Sequence, residues 1–292
     1  MTKQDTTVCI IGSINMDMTI TTKQLPAKGE TVIGGEFITY PGGKGANQAV
    51  AAARLGSAVK LIGAVGDDVF GTSLLNGLQG EGINLDGVRV KAGCSTGVAN
   101  IILSEHDNRI IVAPGANTYV TPKLIDQNIE AITTSDVILM QLEIPIETVE
   151  YVTNIAVKEK IPVILNPAPY QKLSANLLNN LTYITPNALE ARELKLDTDC
   201  LEIDDKLIVT KGSEGVEYKG RCYPASVVEV KDTTGAGDTF NGALAAFISK
   251  GIPLSEAIPK ANIAAAISVT KEGAQTGMPS LAEVLNFNTE VH

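Results

Sequence analysis

The feature of this sequence that most constrains its fold is a series of short, nearly unbroken apolar runs rich in β-branched residues. They lie at residues 8–11, 59–65, 137–140, 162–165, 183–185 and 207–210. Runs of this kind are typical of strands that are covered on both faces. Segments of helical length separate them, at residues 45–55, 69–79, 145–158 and 188–194. The alternation predicts an α/β fold in which helices flank a central, mostly parallel sheet through right-handed crossovers.

Two stretches interrupt this alternation, at residues 18–40 and 97–113. Both contain alternating apolar and polar positions, including residues 31–33, which is typical of hairpin strands. Each stretch begins and ends beside an element of the main sheet, so we expect about 17–40 and 97–113 to pair into a small β-sheet lid over a ligand. Helices are predicted at 239–249 and 254–270. The whole chain, residues 1–292, fits a single α/β domain.

Composition narrows the class of protein. Hydrophobic residues make up 44% and charged residues 19% of the chain, as in folded globular domains. The 33 acidic and 23 basic residues give a net charge of −10, which repels nucleic acid and anionic membrane surfaces. The N-terminus lacks the apolar segment of a signal peptide, and no apolar run reaches the roughly 18 residues of a membrane span. We therefore expect a cytoplasmic protein that binds neither nucleic acid nor membranes.

Cysteine and histidine chemistry is nearly excluded. The cysteines are Cys9, Cys94, Cys200 and Cys222. They lack the paired spacing of a zinc site, and we expect reduced thiols. The histidines are His106, in a polar turn, and the terminal His292. Carboxylates or backbone amides must therefore carry any catalysis.

The strongest candidate for chemistry is the segment 232–242, which follows a strand-like run at 227–230 and opens an alanine-rich helix. Its small residues allow backbone amides to converge on an anion at the helix N-terminus. The amides concerned are those of Gly235, Ala236, Gly237 and Asp238. In that arrangement Asp238 would accept a proton from an attacking hydroxyl while the amides hold a transferring phosphoryl group. The alternative is that Asp238 is only the N-cap of the helix.

The second candidate is the glycine-rich segment 41–56, which runs into a helix. Its glycines permit the backbone to approach a polar ligand closely, and Asn47 offers both a donor and an acceptor. This combination suits a hydroxyl-rich ligand. The alternative is a tight loop with Asn47 in the first helical turn. Lys44 could contact a phosphate or extend into solvent.

The third candidate, residues 12–17, directly follows the first predicted strand. Ligands of α/β sheets bind beyond the carboxyl ends of the strands, where the Asp17 carboxylate could accept two sugar hydroxyls. Glu143 follows the run 137–140 and precedes Pro145, which places it at the same edge as Asp17. The alternative for Glu143 is a charge that merely ends a strand.

Together the segments 12–17, 42–47 and 232–242 resemble the ribokinase family, within the superfamily that also contains fructokinases and adenosine kinases. Shorter matches occur at residues 63–68, 96–99, 115–117, 141–143, 166–169, 185–190 and 273–275. The resemblance covers nearly the whole chain. It implies a ribokinase-like fold and the ATP-dependent phosphorylation of D-ribose at its 5-hydroxyl.

The resemblance also implies roles for individual residues. The ribose hydroxyls would be held by Asn15, Asp17, Gly43, Lys44, Gly45, Ala46, Asn47 and Glu143, with Asp238 as the catalytic base. The ATP site would be lined by Asn187, Thr210, Lys211, Gly212, Ser213, Glu214, Gly215, Gly237, Asp238 and Asn262. Glu190 would organise Mg²⁺ through water. A monovalent cation, usually K⁺, would be held by Asp232, Thr234, Ser268, Lys271, Gly273 and Gly277. Gly277 lacks the side-chain oxygen of the serine that often stands there.

Two further expectations come from the resemblance. Members of the family often dimerise through the lid, so we expect a homodimer. The chain also has fewer residues between Asn187 and Thr210 than is usual in the family. The segment 195–207 must cross between parallel strands, which normally takes a helix. We expect that a helix is lost or reduced there, with altered packing on the ATP side.

Other functions remain open at this point. A kinase for deoxyribose, fructose or a ribonucleoside would share most of these segments. Asn15, Asp17 and Glu143 favour a compact pentose, and an aromatic content of 4% without Trp offers no stacking platform for a nucleobase. A non-catalytic sugar sensor would be expected to lose Asp238 or its neighbouring glycines. A dinucleotide oxidoreductase is disfavoured because Phe240 replaces the third glycine of its fingerprint, and no Walker sequence occurs.

Overall fold

The computed structural model describes residues 6–104, 107–198 and 203–287. The expectations for His106, Cys200 and His292 lie outside the described residues. The strands are β1 (Thr7–Ile11), β2 (Asn15–Thr21), β3 (Phe37–Gly42), β4 (Ala58–Gly66), β5 (Asn84–Lys91), β6 (Gly97–Ser104), β7 (Asp107–Ala113), β8 (Val137–Met140), β9 (Val163–Leu165), β10 (Tyr183–Ile184), β11 (Ile208–Thr210), β12 (Val216–Tyr218) and β13 (Arg221–Tyr223).

The helices follow the predicted alternation with the strands. They are α1 (Lys44–Arg54), α2 (Val69–Gly80), α3 (Pro122–Gln127), α4 (Ile129–Thr133), α5 (Ile146–Glu159), α6 (Ala175–Asn180), α7 (Ala188–Asp197), α8 (Ala236–Ser249), α9 (Leu254–Ser268), α10 (Ala274–Gly277) and α11 (Leu281–Leu285). Short 3-10 turns lie at Gly115–Tyr119, Asp204–Lys206 and Gly212–Glu214. Within the described ranges, no helix combines the length and the apolar character needed to cross a bilayer.

The central sheet has six strands, all parallel, in the order β10-β9-β8-β1-β4-β5. The side chains of β1 alternate between two buried clusters: Val8 and Ile10 pack in one, Cys9 and Ile11 in the other. Because both faces are covered, no position of this strand favours a polar residue, which explains the unbroken apolar run. The α/β prediction with a parallel central sheet is confirmed.

Strand β5, at one edge of this sheet, was not predicted. Its sequence contains Asn84, Asp86, Arg89 and Lys91. An edge strand exposes much of its surface, so it does not need the apolar run that identified the central strands.

The small sheet has the order β3-β2-β6-β7. Its outer pairs are antiparallel, as predicted, but the central pair β2 and β6 is parallel. Strand β2 begins at Asn15, so Asn15 and Asp17 are strand residues rather than part of a loop. The strand predicted at 31–33 is wrong: residues 22–36 contain no strand. Ile33 is 92% exposed, so the alternating pattern of residues 31–33 buries no apolar face that would stabilise a strand.

Two expectations near the C-terminal half are also corrected. The run 207–210 forms β11 of a three-stranded antiparallel sheet, β11-β12-β13, which isolated parallel bridges link to β10 and the residues after it. The run 227–230 is not a strand. Val227 is 93% exposed, so its side chain has no partner that would favour an extended pairing.

Helices α1 and α8 pack closely on one face of the central sheet. A Cβ at Gly242 of α8 would lie 2.5 Å from the backbone oxygen of Gln48 and 2.7 Å from Cβ of Ala51. Only glycine allows this approach. The N-terminal turns of the two helices therefore lie side by side at the carboxyl edge of the sheet, where α/β proteins bind ligands.

Candidate active site

The carboxyl group of Asp238 faces the first turns of α1. Its Oδ2 accepts a hydrogen bond from Asn47 Nδ2 at 2.9 Å, and its Oδ1 accepts one from Gln48 Nε2 at 3.0 Å. Helix α8 begins at Ala236, three residues earlier than predicted, and Gly235 is its N-cap. The interpretation of Asp238 as an N-cap is therefore wrong, because its side chain contacts another helix rather than its own backbone.

The N-terminus of α8 supplies free amide donors beside this carboxylate. The N–H of Ala236 donates to the carbonyl of Thr233 at 3.2 Å. For Gly235, Gly237 and Asp238, the described part of the chain contains no acceptor for the backbone N–H. A Cβ at Gly237 would meet no atom within 4 Å, so open space lies beside these donors. Three unpaired amides and an open space at a helix N-terminus can hold an anion.

Gly235 is required for this geometry. Its φ is 75°, in the left-handed region, and an added Cβ would lie 2.7 Å from Cβ of Ala274. Any other residue would strain the backbone and displace α10.

Glu143 organises the sugar side of the site. Its Oε2 accepts hydrogen bonds from Ser13 Oγ at 2.5 Å, from the backbone N–H of Lys44 at 3.3 Å and from Asn15 Nδ2 at 3.4 Å. The Oδ1 of Asn15 accepts from Asn117 Nδ2 at 2.7 Å. Three segments that are remote in sequence thus meet at one edge of the sheet, and Glu143 is more than a charge at a strand end.

The glycines of the loop before α1 approach the chain itself. A Cβ at Gly43 would lie 2.6 Å from the backbone N of Asn15, and one at Gly45 would lie 2.6 Å from the backbone N of Ser13. The N–H of Ala46 donates to the carbonyl of Ser13 at 2.9 Å. The glycine pattern predicts a close approach to a ligand; in the structure these glycines seat α1 against residues 12–15.

Asn47 lies in the first turn of α1, and its side chain is 5% exposed. Its Oδ1 accepts from Gln275 Nε2 at 3.0 Å while its Nδ2 donates to Asp238. The carboxylate of Asp238 fixes the orientation of the Asn47 amide, because the reverse orientation would place two oxygens together, and Gln275 holds the amide in place from its other end.

The charges of the site are strongly coupled. Burial, reinforced by the charges of Glu143 and Asp238 and opposed by Lys44, raises the pKa of Asp17 to about 7. Burial alone lowers the pKa of Lys44, but the surrounding carboxylates, Asp238 first, outweigh it and raise that pKa above its ordinary value. Lys44 is therefore a cation held among carboxylates, rather than a solvated side chain. No hydrogen bond in the described chain reaches the Asp17 carboxyl group.

Several residues predicted for the ATP site line one cavity of about 420 Å³. They are Asn187, Thr210, Lys211, Gly212 and Glu214, joined by Ala188 and Leu189. The predicted Ser213 and Gly215 belong to the same turn, which the bond from the Lys211 N–H to the Gly215 carbonyl closes at 2.8 Å. The side chain of Lys211 forms an ion pair with Glu217.

Asn187 and Glu190 form a capping box at the start of α7. Asn187 Oδ1 accepts from the N–H of Leu189 and of Glu190, each at 2.9 Å, and Glu190 Oε2 accepts from the N–H of Asn187 at 2.8 Å. Burial is the main reason that the pKa of Glu190 lies above its ordinary value. Both residues thus shape the helix terminus that borders the cavity.

Asn262 is not among the residues that line this cavity, and its assignment to the ATP site stays a prediction. Its side chain is 7% exposed, and Nδ2 donates to the carbonyls of Tyr223 at 3.0 Å and Pro224 at 3.4 Å. It ties α9 to the end of β13, so its amide donors are engaged within the protein.

The shortened segment lies beside a second cavity of about 430 Å³. Helix α7 ends at Asp197, and the turn Asp204–Lys206 leads into β11; residues 199–202 lie outside the described ranges. The cavity is lined by Ala188, Ala191, Arg192, Lys195, Leu196, Val209, Lys211 and Glu217. Leu196 is 69% exposed, so this face of α7 is only partly covered.

The predicted cation ligands lie on two stretches of the chain, the loop before α8 and the segment from the end of α9 to the end of α10. Asp232 Oδ1 accepts from the N–H of Thr234 at 2.9 Å, and Oδ2 accepts from the N–H of Gly273 at 2.8 Å. The Thr234 hydroxyl also donates to Oδ1, at 2.6 Å. Burial raises the pKa of Asp232, but these three hydrogen bonds outweigh burial and hold the pKa below its ordinary value. A Cβ at Gly277 would lie 2.5 Å from the carbonyl oxygen of Ser268, so a side chain has no room there.

Lys271 has a side-chain role of its own. Its Nζ lies 3.1 Å from Glu283 Oε1, so the ammonium is directed to the start of α11. Only its backbone carbonyl could take part in binding a cation. The carboxylate of Asp232 and the carbonyls around it are the hard oxygen donors that such ions prefer.

Sequence reasoning assigned no role to several polar residues that build the site. Ser13, Asn117 and Gln275 hold Glu143, Asn15 and Asn47, and Gln48 holds Asp238. The available signal was a single uncharged polar residue at the end of an apolar run or inside a small-residue helix. Such a residue becomes interpretable only when its partner is known.

The chain resembles known proteins along its whole length. The model of the pfkB family carbohydrate kinases matches residues 5–281. A ribokinase of Bacillus subtilis is 45% identical over 285 residues, which cover 95% of this chain and 97% of that protein. The structure of a ribokinase from Thermotoga maritima is 34% identical, with a TM-score of 0.86 over 96% of this chain and 98% of that one.

A second solved structure carries ligands. It is the ribokinase of Arabidopsis thaliana complexed with ribose and ATP, which is 30% identical. Its TM-score is 0.87, and the match covers 97% of this chain and 100% of that one. These matches span the central sheet, the small sheet and both sides of the site. The chain belongs to the pfkB family of carbohydrate kinases.

Proposed function

We propose that this protein is a ribokinase, which transfers the γ-phosphoryl group of ATP to the 5-hydroxyl of D-ribose and releases ADP and D-ribose 5-phosphate. One observation carries the proposal. The carboxylate of Asp238 lies beside three unpaired amides at the N-terminus of α8. It also faces the first turn of α1, on the side of the site that contains Asn15, Asp17 and Glu143. The high identity to ribokinases over the full chain supports ribose as the acceptor.

The chemistry follows from this arrangement. As the ribose 5-oxygen forms its bond to the γ-phosphorus, the hydroxyl proton passes to the Asp238 carboxylate. The bond between the γ-phosphorus and the β,γ-bridging oxygen breaks, and its electron pair leaves with ADP. The free amides of Gly235, Gly237 and Asp238 stabilise the charge on the γ-phosphoryl oxygens. Lys44, a cation among carboxylates, adds positive charge beside the reacting groups.

We also propose that Mg²⁺ and a monovalent cation assist the reaction. In the described part of the chain, no group of three or more His, Cys, Asp or Glu side chains could hold a metal. Mg²⁺ commonly keeps several waters and binds through substrate phosphates with one or two carboxylates. Glu190, in the first turn of the helix that borders this cavity, would be such a carboxylate and would act through water. Bound there, Mg²⁺ would neutralise phosphate charge.

The monovalent site would be formed by Asp232 with the carbonyls of Thr234, Ser268, Lys271 and Gly273. Asp232 already joins the loop of the anion-binding amides to the loop before α10. A cation there would support the backbone that presents those amides. Replacing Asp232 by Asn should therefore weaken the dependence of turnover on added K⁺, which a titration of KCl against activity and against thermal stability would measure.

A homodimer through the small sheet is the proposed assembly. Ile20, Phe37 and Ile111 are exposed on one face of this sheet, and Ile110 and Val112 on the other. Such clustered apolar side chains are typical of association surfaces. A light-scattering mass equal to one chain at micromolar concentration would contradict this assembly. The cytoplasmic location stays a prediction from the sequence.

The decisive experiment measures ADP release with ribose, deoxyribose, fructose and adenosine as acceptors. Ribose should give the highest kcat/KM, and Asp238→Asn should lower kcat for it by about 10²–10⁴-fold, the usual contribution of a general base. The ribose KM should change much less. A variant that retained most of its turnover would contradict the assignment of Asp238. A higher kcat/KM with another acceptor would identify a different kinase of the same family.

A further inference from the structure

Beneath the site lies a hydrogen-bonded network of five uncharged polar side chains that carry no assigned role. They are Gln48, Gln141, Asn166, Thr185 and Asn241. Each is at most 7% exposed, and they come from α1, α8 and the ends of β8, β9 and β10. Such groups are costly to bury unless they form hydrogen bonds.

Gln48 is the centre of this hydrogen-bonded network. Its Nε2 donates to Oδ1 of Asp238 at 3.0 Å and to Oδ1 of Asn166 at 3.2 Å. Its Oε1 accepts from Nε2 of Gln141 at 2.6 Å. If the Gln48 amide were reversed, its oxygen would face the carboxylate of Asp238 and its NH₂ would face the NH₂ of Gln141. The carboxylate of Asp238 therefore selects the orientation in which Gln48 is a donor, and the bond from Gln141 to Oε1 holds the Gln48 amide in that orientation.

The second arm of the network returns to α8, the anion-binding helix. Asn166 Nδ2 donates to the carbonyl of Thr185 at 3.0 Å, and Thr185 Oγ1 donates to Asn241 Oδ1 at 2.5 Å. Asn241 Nδ2 then donates to the carbonyl of Gly237 at 2.8 Å. The network thus begins at the carboxylate of Asp238 and ends at the backbone carbonyl of Gly237, the residue before it. Side chain and backbone of the same helical turn are held by one connected set of bonds.

Gln141 supplies an independent indication that this network is not simply core. Its Oε1 is buried and has no hydrogen-bond partner among the described residues. A Cβ at Gly12 would lie 2.0 Å from that oxygen, so glycine is required there to make room for the amide. A buried unpaired acceptor costs free energy that an apolar side chain would avoid. The NH₂ of the same amide is engaged with Gln48 Oε1, so the polar contact that Gln141 makes in this core is the one that holds Gln48.

We propose that Gln48, held by Gln141, is a positioning residue for the catalytic base, and that Thr185 and Asn241 hold the backbone of the anion-binding turn in register with it. This inference rests on the proposed function, since it assumes that Asp238 is the base. Gln48 lies behind Asp238 and acts through it. A carboxylate with both oxygens held by amide donors cannot rotate away from the hydroxyl that it must deprotonate. Displacement by about 1 Å at such a centre can lower a rate by up to roughly 10²-fold.

The first test is a double-mutant cycle with Gln48→Met and Gln141→Met in the full-length enzyme. Gln48→Met should lower kcat at least about tenfold while the ribose KM stays within about twofold. Gln141→Met should lower kcat less, and this loss should disappear in the Gln48→Met background, because Gln141 acts only through Gln48. The control is Thr148→Val in α5, which removes a buried hydrogen bond of 2.7 Å to the carbonyl of Val120. It should destabilise the fold and leave kcat unchanged.

The second test uses Thr185, where the change is nearly isosteric and keeps the core filled. Thr185→Val removes the hydroxyl that orients Asn241, and Thr185→Ser retains it. We expect Thr185→Val to lower kcat and Thr185→Ser to keep most of it at equal ribose KM. This pair decides the question even if Gln48→Met does not fold.

The inference would be overturned if Gln48→Met kept kcat within twofold, if it raised the ribose KM at unchanged kcat, or if the losses from Gln48 and Gln141 were additive. Equal kcat values for the two Thr185 variants would overturn the second arm. Turnover that survives Asp238→Asn would instead contradict the assignment of Asp238 as the base, and a wild-type enzyme that released no ADP with ribose would overturn the proposed function, so these failures are distinguishable from a failure of this inference.

Discussion

Asp17 offers a prediction in which stability and binding move in opposite directions. Its pKa is raised to about 7 by burial and by the charges of Glu143 and Asp238, against the opposing charge of Lys44. No hydrogen bond in the described chain reaches its carboxyl group, so Asp17→Asn removes a charge without removing a bond. In the unfolded chain an Asp titrates near about 3.9.

The sign follows from proton linkage. The folded state binds the Asp17 proton more tightly than the unfolded state, so the stability that this group contributes is complete below about pH 4 and is lost as the pH rises to about 7. A shift of about three units corresponds to a ceiling of about 4 kcal/mol. Because solvent reaches part of this side chain, we expect Asp17→Asn to raise the free energy of unfolding at pH 8 by about 1–3 kcal/mol. The gain should vanish near pH 4.

The assay is denaturant unfolding of the ligand-free protein at pH 8 and pH 4. Glu36→Gln removes an exposed carboxylate and serves as the matched control, with no expected change at either pH. The same Asp17 variant should bind ribose about 10–100-fold more weakly, since hydrogen bonds to a charged acceptor contribute about 1.5–3 kcal/mol. If Asp17→Asn were no more stable than the wild type at pH 8, the electrostatic account of the site would be refuted.

Three further predictions concern backbone and packing. Gly237→Ala should fold normally, because its Cβ meets no atom within 4 Å, but it should lower kcat or raise the KM for ATP by filling the space beside the free amides; unchanged kinetics would show that no phosphoryl group lies there. Gly235→Ala should lower the melting temperature in a thermal scan, because φ is 75° and Ala274 is too close; an unchanged melting temperature would contradict the strain. Asn262→Ala should destabilise the fold by about 1–3 kcal/mol in denaturant unfolding, since the Tyr223 carbonyl loses its donor; a nucleotide defect at unchanged stability would instead favour direct contact with ATP.

The fold was largely predictable from the sequence because the burial of β1, β4 and β8 on both faces leaves a local signal, an unbroken apolar run. The same argument could not find β5, whose polar edge carries no such run, and it misassigned 227–230, where an apolar run meets no partner. A local pattern records whether a segment can be buried. Whether a neighbour covers it depends on the rest of the chain.

For the candidate site, the sequence by itself determined the chemical groups: a carboxylate before a small-residue helix, a glycine-rich turn and acidic residues at strand ends. Only the tertiary structure decided how these groups are oriented and charged. Gln48 and Asp238 are 190 positions apart in the chain and 3.0 Å apart in space, and the pKa of Asp17 depends on Glu143 and Asp238. Hydrogen bonds and Coulomb interactions depend on distance through space, so no pattern along the chain can encode them locally.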